Sequence, residues 1–577
     1  MSNSVPNVTG IGSRLGAVAA FAGSALAVVL PASPALAGPT TAEVVRLPFP
    51  RYDGSLTPYT FDLGYPLVSL VYDALMWRDA RGIPRPWLAR TVTRARGGRR
   101  VTVRLRPGVR WHDGRPVTAA DVAFTYRFVA GRYQARFTPQ LADIQRVRVR
   151  GRLTVSFDLR RPSLGFDDQP LADVPILPRH LWKGLSPGRL APSGPAVGSG
   201  PYRLVSARRD AGYVLRANRA YFRGAPRVRE IRVPIIGDAE KAYEALRERR
   251  VDMIPLSLPR EAAEDFEATL GVRVQRGPSY AGTTLLLNLR RPPFDRPDVR
   301  RAIAGALDLR QIARNGGPAV PAVEGQIHPS SRWAAGQPLQ RANVPAAQRS
   351  LARLGLPPIS VLAPANDPVR LEAGRQVVVS LRRAGVKVAL TEISRAQLAR
   401  AIGEDGSPPD FDAAIQSTPA LASADPDYLT TLFGSSARSA PLNFSGYRSA
   451  AFDALARRVA SAPDAQARRV ATRAELRLLA RDLPSIPLFF SEGTFAHRVA
   501  SYDGWTFIQG TGILDKRSFL PGEQPAPRRQ PEVVGGGERA GSDAGLGVVN
   551  LISIVVLAVV ALLAGAALWQ RRRAGGG

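Results

Sequence analysis

Short runs of β-branched and aliphatic residues alternate along most of the chain with Ala- and Arg-rich stretches whose apolar positions recur at helical spacing. That mixture predicts an α/β body. The clearest unit spans residues 99–128. Val101-Thr-Val-Arg-Leu105 alternates like a half-buried strand, and Pro107-Gly108 turns. Val109-Arg-Trp111 extends again to complete a hairpin, and His112-Asp113-Gly114 turns once more. Thr118 and Asp121 then occupy the two positions of a capping box, and Val122, Phe124, Thr125 and Phe128 put apolar bulk on one face of the helix they open. Further strands are expected over 203–207, 213–218, 282–289 and 386–390, and helices over 297–308 and 375–384. No self-similar period of solenoid length is visible.

The two ends have a different pattern. Residues 15–30 (LGAVAAFAGSALAVVL) are uncharged, follow Arg14 and lead to Ala35-Leu36-Ala37, the layout of a secretory signal peptide over 1–37. Residues 551–569 (LISIVVLAVVALLAGAALW) hold no charge. At 1.5 Å per residue such a run reaches about 28 Å, enough for a bilayer core. Trp569 stands where an interfacial aromatic belongs, and Arg571, Arg572 and Arg573 follow at once. The positive-inside rule then makes 546–570 a transmembrane helix anchored at Leu551 and Trp569, with 571–577 as a cytoplasmic tail. Residues 521–545, rich in Pro, Gly and charge, read as a disordered tether. The expectation is a single-pass protein of the cell membrane whose body, residues 38–520, lies on the extracytoplasmic side.

Composition removes several functions. The 577 residues include no cysteine, which excludes disulfide frameworks, thiolate nucleophiles and Cys-ligated metal centres. The four histidines (His112, His180, His328, His497) are far apart in sequence, so no metal site is expected. A net charge of +32 invites a nucleic-acid reading, but 75 of the 79 basic residues are arginines spread along the chain and interleaved with acids. Without a base-reading motif, that charge points to solubility and weak attraction to anionic headgroups or acidic ligands. There is also no G-x-S-x-G elbow, H-E-x-x-H pair or phosphate loop, so no catalytic residue is assigned and no cofactor is expected.

Seven segments, in order across more than 400 residues, resemble the bacterial extracellular solute-binding proteins of family 5. Leu70-Val-Tyr72-Asp73-Ala-Leu75 is similar to the first helix of that family, and Pro86-Trp-Leu88-Ala89 to the step before its first hairpin. The most specific stretch runs from Val103 to Val122, through Trp111-His112-Asp113-Gly114 and Pro116-Val-Thr-Ala119-Ala-Asp121. Gly198-Ser-Gly200-Pro-Tyr202 resembles the family's Gly-Thr-Gly-Pro-Tyr turn. Pro292-Pro-Phe294-Asp295 with Val299-Arg-Arg301-Ala302, Asp425-Pro-Asp427-Tyr-Leu429 with Asn443 and Tyr447, and Pro484-Ser-Ile486-Pro487-Leu488 complete the set.

The resemblance implies a two-lobed periplasmic-binding-protein type II fold with an extra inserted lobe. By position, lobe I would hold 38–74, 190–280 and 488–520, the inserted lobe 75–189, and lobe II 281–487. It further implies the substrate-binding component of an ABC importer, a monomer that closes on a peptide or small polar solute and delivers it to a permease with its ATPase subunits. Carried over by position, Asp73, Ala74 and Leu75 would supply backbone groups to one cleft wall. Tyr133 would lie near the cleft mouth and Phe489 and Phe490 on its floor. A strand over 411–421, carrying Gln416, Ser417, Thr418 and Leu421, would line the second lobe. Ala422 replaces the carboxylate that pairs with a peptide's α-ammonium in the family, leaving Asp425 as the nearest acid, with helix capping as its competing role. A tethered sensor acting through a membrane partner and a secreted hydrolase are the alternative readings. His112, in its turn, is expected to be structural.

Overall fold

The computed structural model describes residues 39–522 apart from 62, 63, 133, 135, 187, 188, 190, 316, 340, 366, 438 and 439. The signal segment, most of the tether, the proposed span with Leu551 and Trp569, the tail with Arg571, Arg572 and Arg573, and Tyr133 lie outside the described residues. Among the described residues no helix is long and apolar enough to cross a membrane.

Strand and helix signals assemble into three larger sheets. The first orders Ala42–Arg46, Val228–Val233, Gly212–Ala217 and Tyr202–Arg208, parallel at its first pairing and antiparallel beyond. Its core gathers Val45, Leu47, Tyr202, Leu215, Ile231, Trp505 and Phe519. The second, which we call the outer sheet, orders Ala89–Ala95, Arg100–Leu105, Thr154–Leu159 and Ile144–Gly151, all antiparallel. Val101, Val103, Val155 and Phe157 point inward onto Val122, Ala123, Tyr126 and Val129 of the helix Ala119–Gly131. Thr118 and Asp121 form the expected capping box on that helix. Phe124 and Phe128 instead turn toward the first sheet's core, where Phe128 meets Tyr59 and Trp182, so the helix is buried on two sides.

The expected hairpin of residues 101–111 does not form. Arg100–Leu105 pairs with Ala89–Ala95 and Thr154–Leu159, whereas residues 109–111 contribute one isolated bridge, Arg110 to Pro116. Prolines at 107 and 116 lack the N–H a longer ladder would use. The two family-like turns of this region lock together through His112. Its N–H donates to the Gly198 carbonyl at 2.8 Å, and its ring contacts the Gly198 N–H and the Gly200 carbonyl at 3.2 and 3.0 Å. A Cβ on Gly198 or Gly200 would fall 1.9 or 2.3 Å from a carbonyl oxygen of residues 70–71, so only glycine fits against that helix end.

The third sheet has six strands in the order Ala319–Pro321, Ser485–Arg498, Val272–Leu287, Ala413–Thr418, Ile359–Pro364 and Val388–Ile393. Two of these strands are long and pair with each other from Val272 opposite Arg498 to Leu286 opposite Ser485. At one end Val272, Val274 and Ala496 pack with the helices Ala239–Arg247 and Arg260–Ala268. At the other end Leu285, Leu287, Ile486, Leu488 and Phe489 enter the largest core, beneath the helix Pro368–Arg383. The pair is therefore a continuous ribbon joining two cores. All hydrophobic clusters of the described residues close within residues 42–520, so this body buries its cores by itself.

Candidate functional site

The ribbon is irregular where it passes between the cores. Its register shifts between Pro278 and Gly282, and Tyr280 takes a left-handed φ of 64°, unusual for a residue with a side chain. The displaced Tyr280 ring lies 5.2 Å from the His328 ring and its hydroxyl donates to Gln509 Oε1 at 3.0 Å. His328 in turn meets Phe490 edge-on at 5.2 Å. Gly282 lies between Thr418 and Phe490: a Cβ there would come 3.1 Å from the Thr418 Cβ and 3.2 Å from the Phe490 ring. Four side chains from four separate segments thus converge at the bulge.

His328 is buried, and its hydrogen bonds determine its tautomer. The Ser330 N–H donates to Nδ1 at 3.0 Å, so Nδ1 is the acceptor and the ring proton sits on Nε2. Nε2 has no hydrogen-bond partner among the described residues. Burial lowers the imidazole's pKa to about 4, so the ring is neutral at physiological pH. The result is a neutral, dry donor without an acceptor, a costly arrangement unless something else supplies one.

The strand Ala413–Thr418 borders the same place. One edge pairs with Val272–Leu287 over its whole length. The other edge meets Ile359–Pro364 only at Ala413 and Ala414, so from Ile415 to Thr418 it carries no strand among the described residues. The expected strand to Leu421 stops at Thr418. Pro419 cannot donate to a ladder, and Leu421–Ala424 is a short helix. Its Ser423 Oγ accepts the His328 N–H at 2.9 Å, which ties the histidine to the strand's end. Gln416, Ser417 and Leu421 are half-buried, Thr418 is buried, and Phe489 and Phe490 are fully packed.

Asp73, Ala74 and Leu75, expected to form a wall, are buried, and their carbonyls accept from Ile176, Leu88, and Trp87 with Ala89. The Asp73 carboxylate accepts from Lys516 Nζ at 2.8 Å, Tyr221 OH at 2.8 Å, Trp87 Nε1 at 3.0 Å and Ser199 Oγ at 3.0 Å. Asp425 does not act alone either. It pairs with the fully buried Arg468, which also meets Asp427 at 3.0 Å, and it accepts the Asp427 N–H at 3.1 Å. Opposite them sits the segment around Gly165, whose Cβ, if present, would lie 2.6 Å from both carboxylates. Three residues on, Asp168 pairs with Arg332 at 2.6 Å. Residues 165–168 thus bear on the 332 and 425–468 region through a buried charge network.

Burial raises the pKa of Asp168, and pushes the Asp425 carboxyl up to about 7 and Glu475 well above the carboxylate range; Arg332 and Arg468 pull the other way. For Asp425 the folded value exceeds the unfolded one, so its stabilising contribution is present below about pH 4 and is lost as pH rises through about 7. His112 and His328, lowered to about 4, act with opposite sign and only below about 6.5. Above pH 6.5 the two histidines no longer contribute, and Asp425 and Glu475 act with the same sign. Melting temperature should fall between about pH 6.5 and 8, and Asp425→Asn should flatten the fall by the equivalent of about 1 kcal/mol. Equal slopes in thermal melts of the two proteins would refute the assignment.

The model described as bacterial extracellular solute-binding proteins, family 5 Middle, matches residues 84–440. The chain belongs to this family. Among curated family relatives, Protein XP55 of Streptomyces lividans is 30% identical over 301 residues, covering 51% of this chain and 54% of that protein. The oligopeptide-binding protein AppA of Bacillus subtilis is 24% identical over 44% of this chain and 47% of its own length. The chain thus spans about half the length of the curated relatives it matches. Solved structures establish the two-lobed α/β fold of periplasmic binding proteins. The ABC transporter substrate-binding protein CtaP of Listeria monocytogenes superposes with a TM-score of 0.74 at 20% identity, over 83% of this chain and 99% of that one. AppA of Bacillus subtilis in complex with a nonapeptide gives 0.70 at 20% identity, over 84% and 99%. NikZ of Campylobacter jejuni, in complex with Ni(L-His), gives 0.69 at 18%, over 79% and 94%.

The resemblance located the strand Ala413–Thr418 but missed His328 and Tyr280. Neither sits in a family-like motif. The one local signal was His328 itself, one of four histidines in a chain where a buried one needs a reason.

Proposed function

We propose that this chain is the extracytoplasmic substrate-binding component of an ABC importer, held at the membrane by residues 546–570. It captures a peptide or similar polar solute between its lobes and delivers it unaltered to the permease. Family membership supports the class of activity. The observation that carries the site is the unpaired edge of Ile415–Thr418, with His328, whose Nε2–H has no partner among the described residues, tied to the segment that follows it through Ser423. An extended peptide adding to that edge would satisfy strand donors and acceptors through its own backbone, giving affinity independent of its side chains. A carbonyl or carboxylate of the ligand would accept from His328. Gln416, Ser417, Thr418 and Leu421 would line it, with Phe490 beneath. Closing the lobes removes competing water and strengthens these bonds.

Ala422 stands where the family carries its counter-charge for an α-ammonium, and Asp425 is already paired with Arg468. A free ammonium buried there would lack compensation. The cargo class is therefore a blocked or modified peptide, or a polar metabolite without a free amine at that end.

Mass spectrometry of compounds released from the protein purified from its own host tests this. One bound compound per chain is expected, chemically intact, and adding it back should stabilise the stripped protein by about 2.7 kcal/mol at a hundredfold excess over its dissociation constant. Recovery of cleaved compound would replace the reading with a hydrolase. Failure to retain or be stabilised by any component of a host metabolite extract would end it.

A further inference from the structure

We propose that the outward face of the outer sheet is a docking surface for an anionic lipid membrane. The chain's positive charge is not evenly laid out once folded. Residues 89–106 and 144–161, which contain this sheet's four strands, hold thirteen arginines and a single acid, Asp158. Those 36 residues account for twelve of the thirty-two excess positive charges. The strand pairing brings the two segments side by side. Arg100, Asp158 and Arg146 form one cross-strand row, and Thr102, Ser156 and Arg148 the next. Thr91, Arg104 and Thr154 form a third. The alternate rows are the inward valines and Phe157.

Asp158 is already shared between Arg100 at 2.7 Å and Arg148 at 3.2 Å. Arg96, Arg99, Arg104, Arg146 and Arg160 are exposed, and none has a carboxylate partner among the described residues. The helix Ala119–Gly131 covers the sheet on its inner side.

The shape selects the occupant. Four strands at about 4.8 Å spacing and six or so residues long make a face of roughly 15 by 20 Å. Arg96, Arg99, Arg100, Arg146, Arg148 and Arg160 border one open depression, and Arg104, paired with Thr91 and Thr154, carries the positive face beyond it, wider than a small anion would span. An extended negative surface meets all of them at once, within the screening length of about 8 Å. This inference also rests on the reading of residues 551–569 as a bilayer span. The 25 residues of 521–545 could then keep the body within about 80 Å of lipid headgroups.

The test uses residues 39–522, whose cores close by themselves, and vesicles of phosphatidylcholine with or without about 30% phosphatidylglycerol. Co-sedimentation is expected only with the anionic vesicles and should weaken with salt. Changing Arg96, Arg99, Arg104, Arg146 and Arg160 to Gln should weaken it about tenfold or more. Changing the equally exposed Arg349, Arg353, Arg383, Arg457 and Arg477 to Gln should weaken it less than about twofold. The pair Arg104→Gln with Arg146→Gln, expected to cost about threefold, serves if the larger variant folds poorly. Equal losses in the two quintuple variants, or no preference of the parent for anionic vesicles, overturn the proposal. Stabilisation by the released compound should persist in every variant, so loss of solute capture would register separately.

Discussion

Replacing Lys516 by Met should destabilise the body by about 3–5 kcal/mol in urea or thermal unfolding. The ammonium is wholly buried, 2.8 Å from Asp73 Oδ1 and 3.0 Å from the Tyr72 carbonyl, with its charge over the Trp77 ring at 4.2 Å and nearer than 6 Å to Trp87. Methionine matches the stem but removes the charge, leaving a fully buried carboxylate that three neutral donors must hold alone. That uncompensated charge, more than the lost attraction, sets the size of the effect. Adding Asp73→Asn to Lys516→Met should recover much of the loss, because the amide no longer needs a counter-ion. A single-variant loss under about 1 kcal/mol, or a double variant no better than the single, would show that the pair is not holding residues 73 and 516 together.

His328→Phe should have the reverse profile, little change in the unliganded protein and a large one in binding. The phenyl ring keeps the contacts with Tyr280 and Phe490 and removes a buried donor that has no acceptor. Unliganded stability should be unchanged or up to about 1 kcal/mol higher. Affinity for the released compound should fall at least about tenfold, equivalent to about 1.4 kcal/mol. Because the imidazole's pKa lies at about 4, wild-type affinity should show no histidine-type step between pH 5 and 8. Calorimetry on the two proteins checks both halves. Destabilisation without loss of affinity would make His328 a packing residue and leave the strand edge as the sole recognition element.

What was legible in the sequence was local. The capping box of Thr118 and Asp121 uses groups three residues apart, the glycines at 198 and 200 announce a tight approach, and the apolar run 282–289 announces a strand buried on both faces. The absence of cysteine removed whole chemistries, and the ordered motifs carried the family and with it the two-lobed fold. Pairing partners were less legible: residues 101–105 look like half of a hairpin with 109–111, yet their ladders run to strands further away.

The tertiary structure alone decided the roles of the charged and aromatic residues. Asp73 meets a lysine 443 positions later, Asp168 an arginine 164 later, and Tyr280, His328, Thr418 and Phe490 gather from four places in the chain. Arginines that look evenly scattered along the chain are drawn by antiparallel pairing onto one face of one sheet. Sequence periodicity reports which side of an element is apolar, since that depends on neighbours two to four residues apart. Which carboxylate loses its water, and which ring faces which, depends on contacts between elements hundreds of residues apart, and those exist only once the chain has folded.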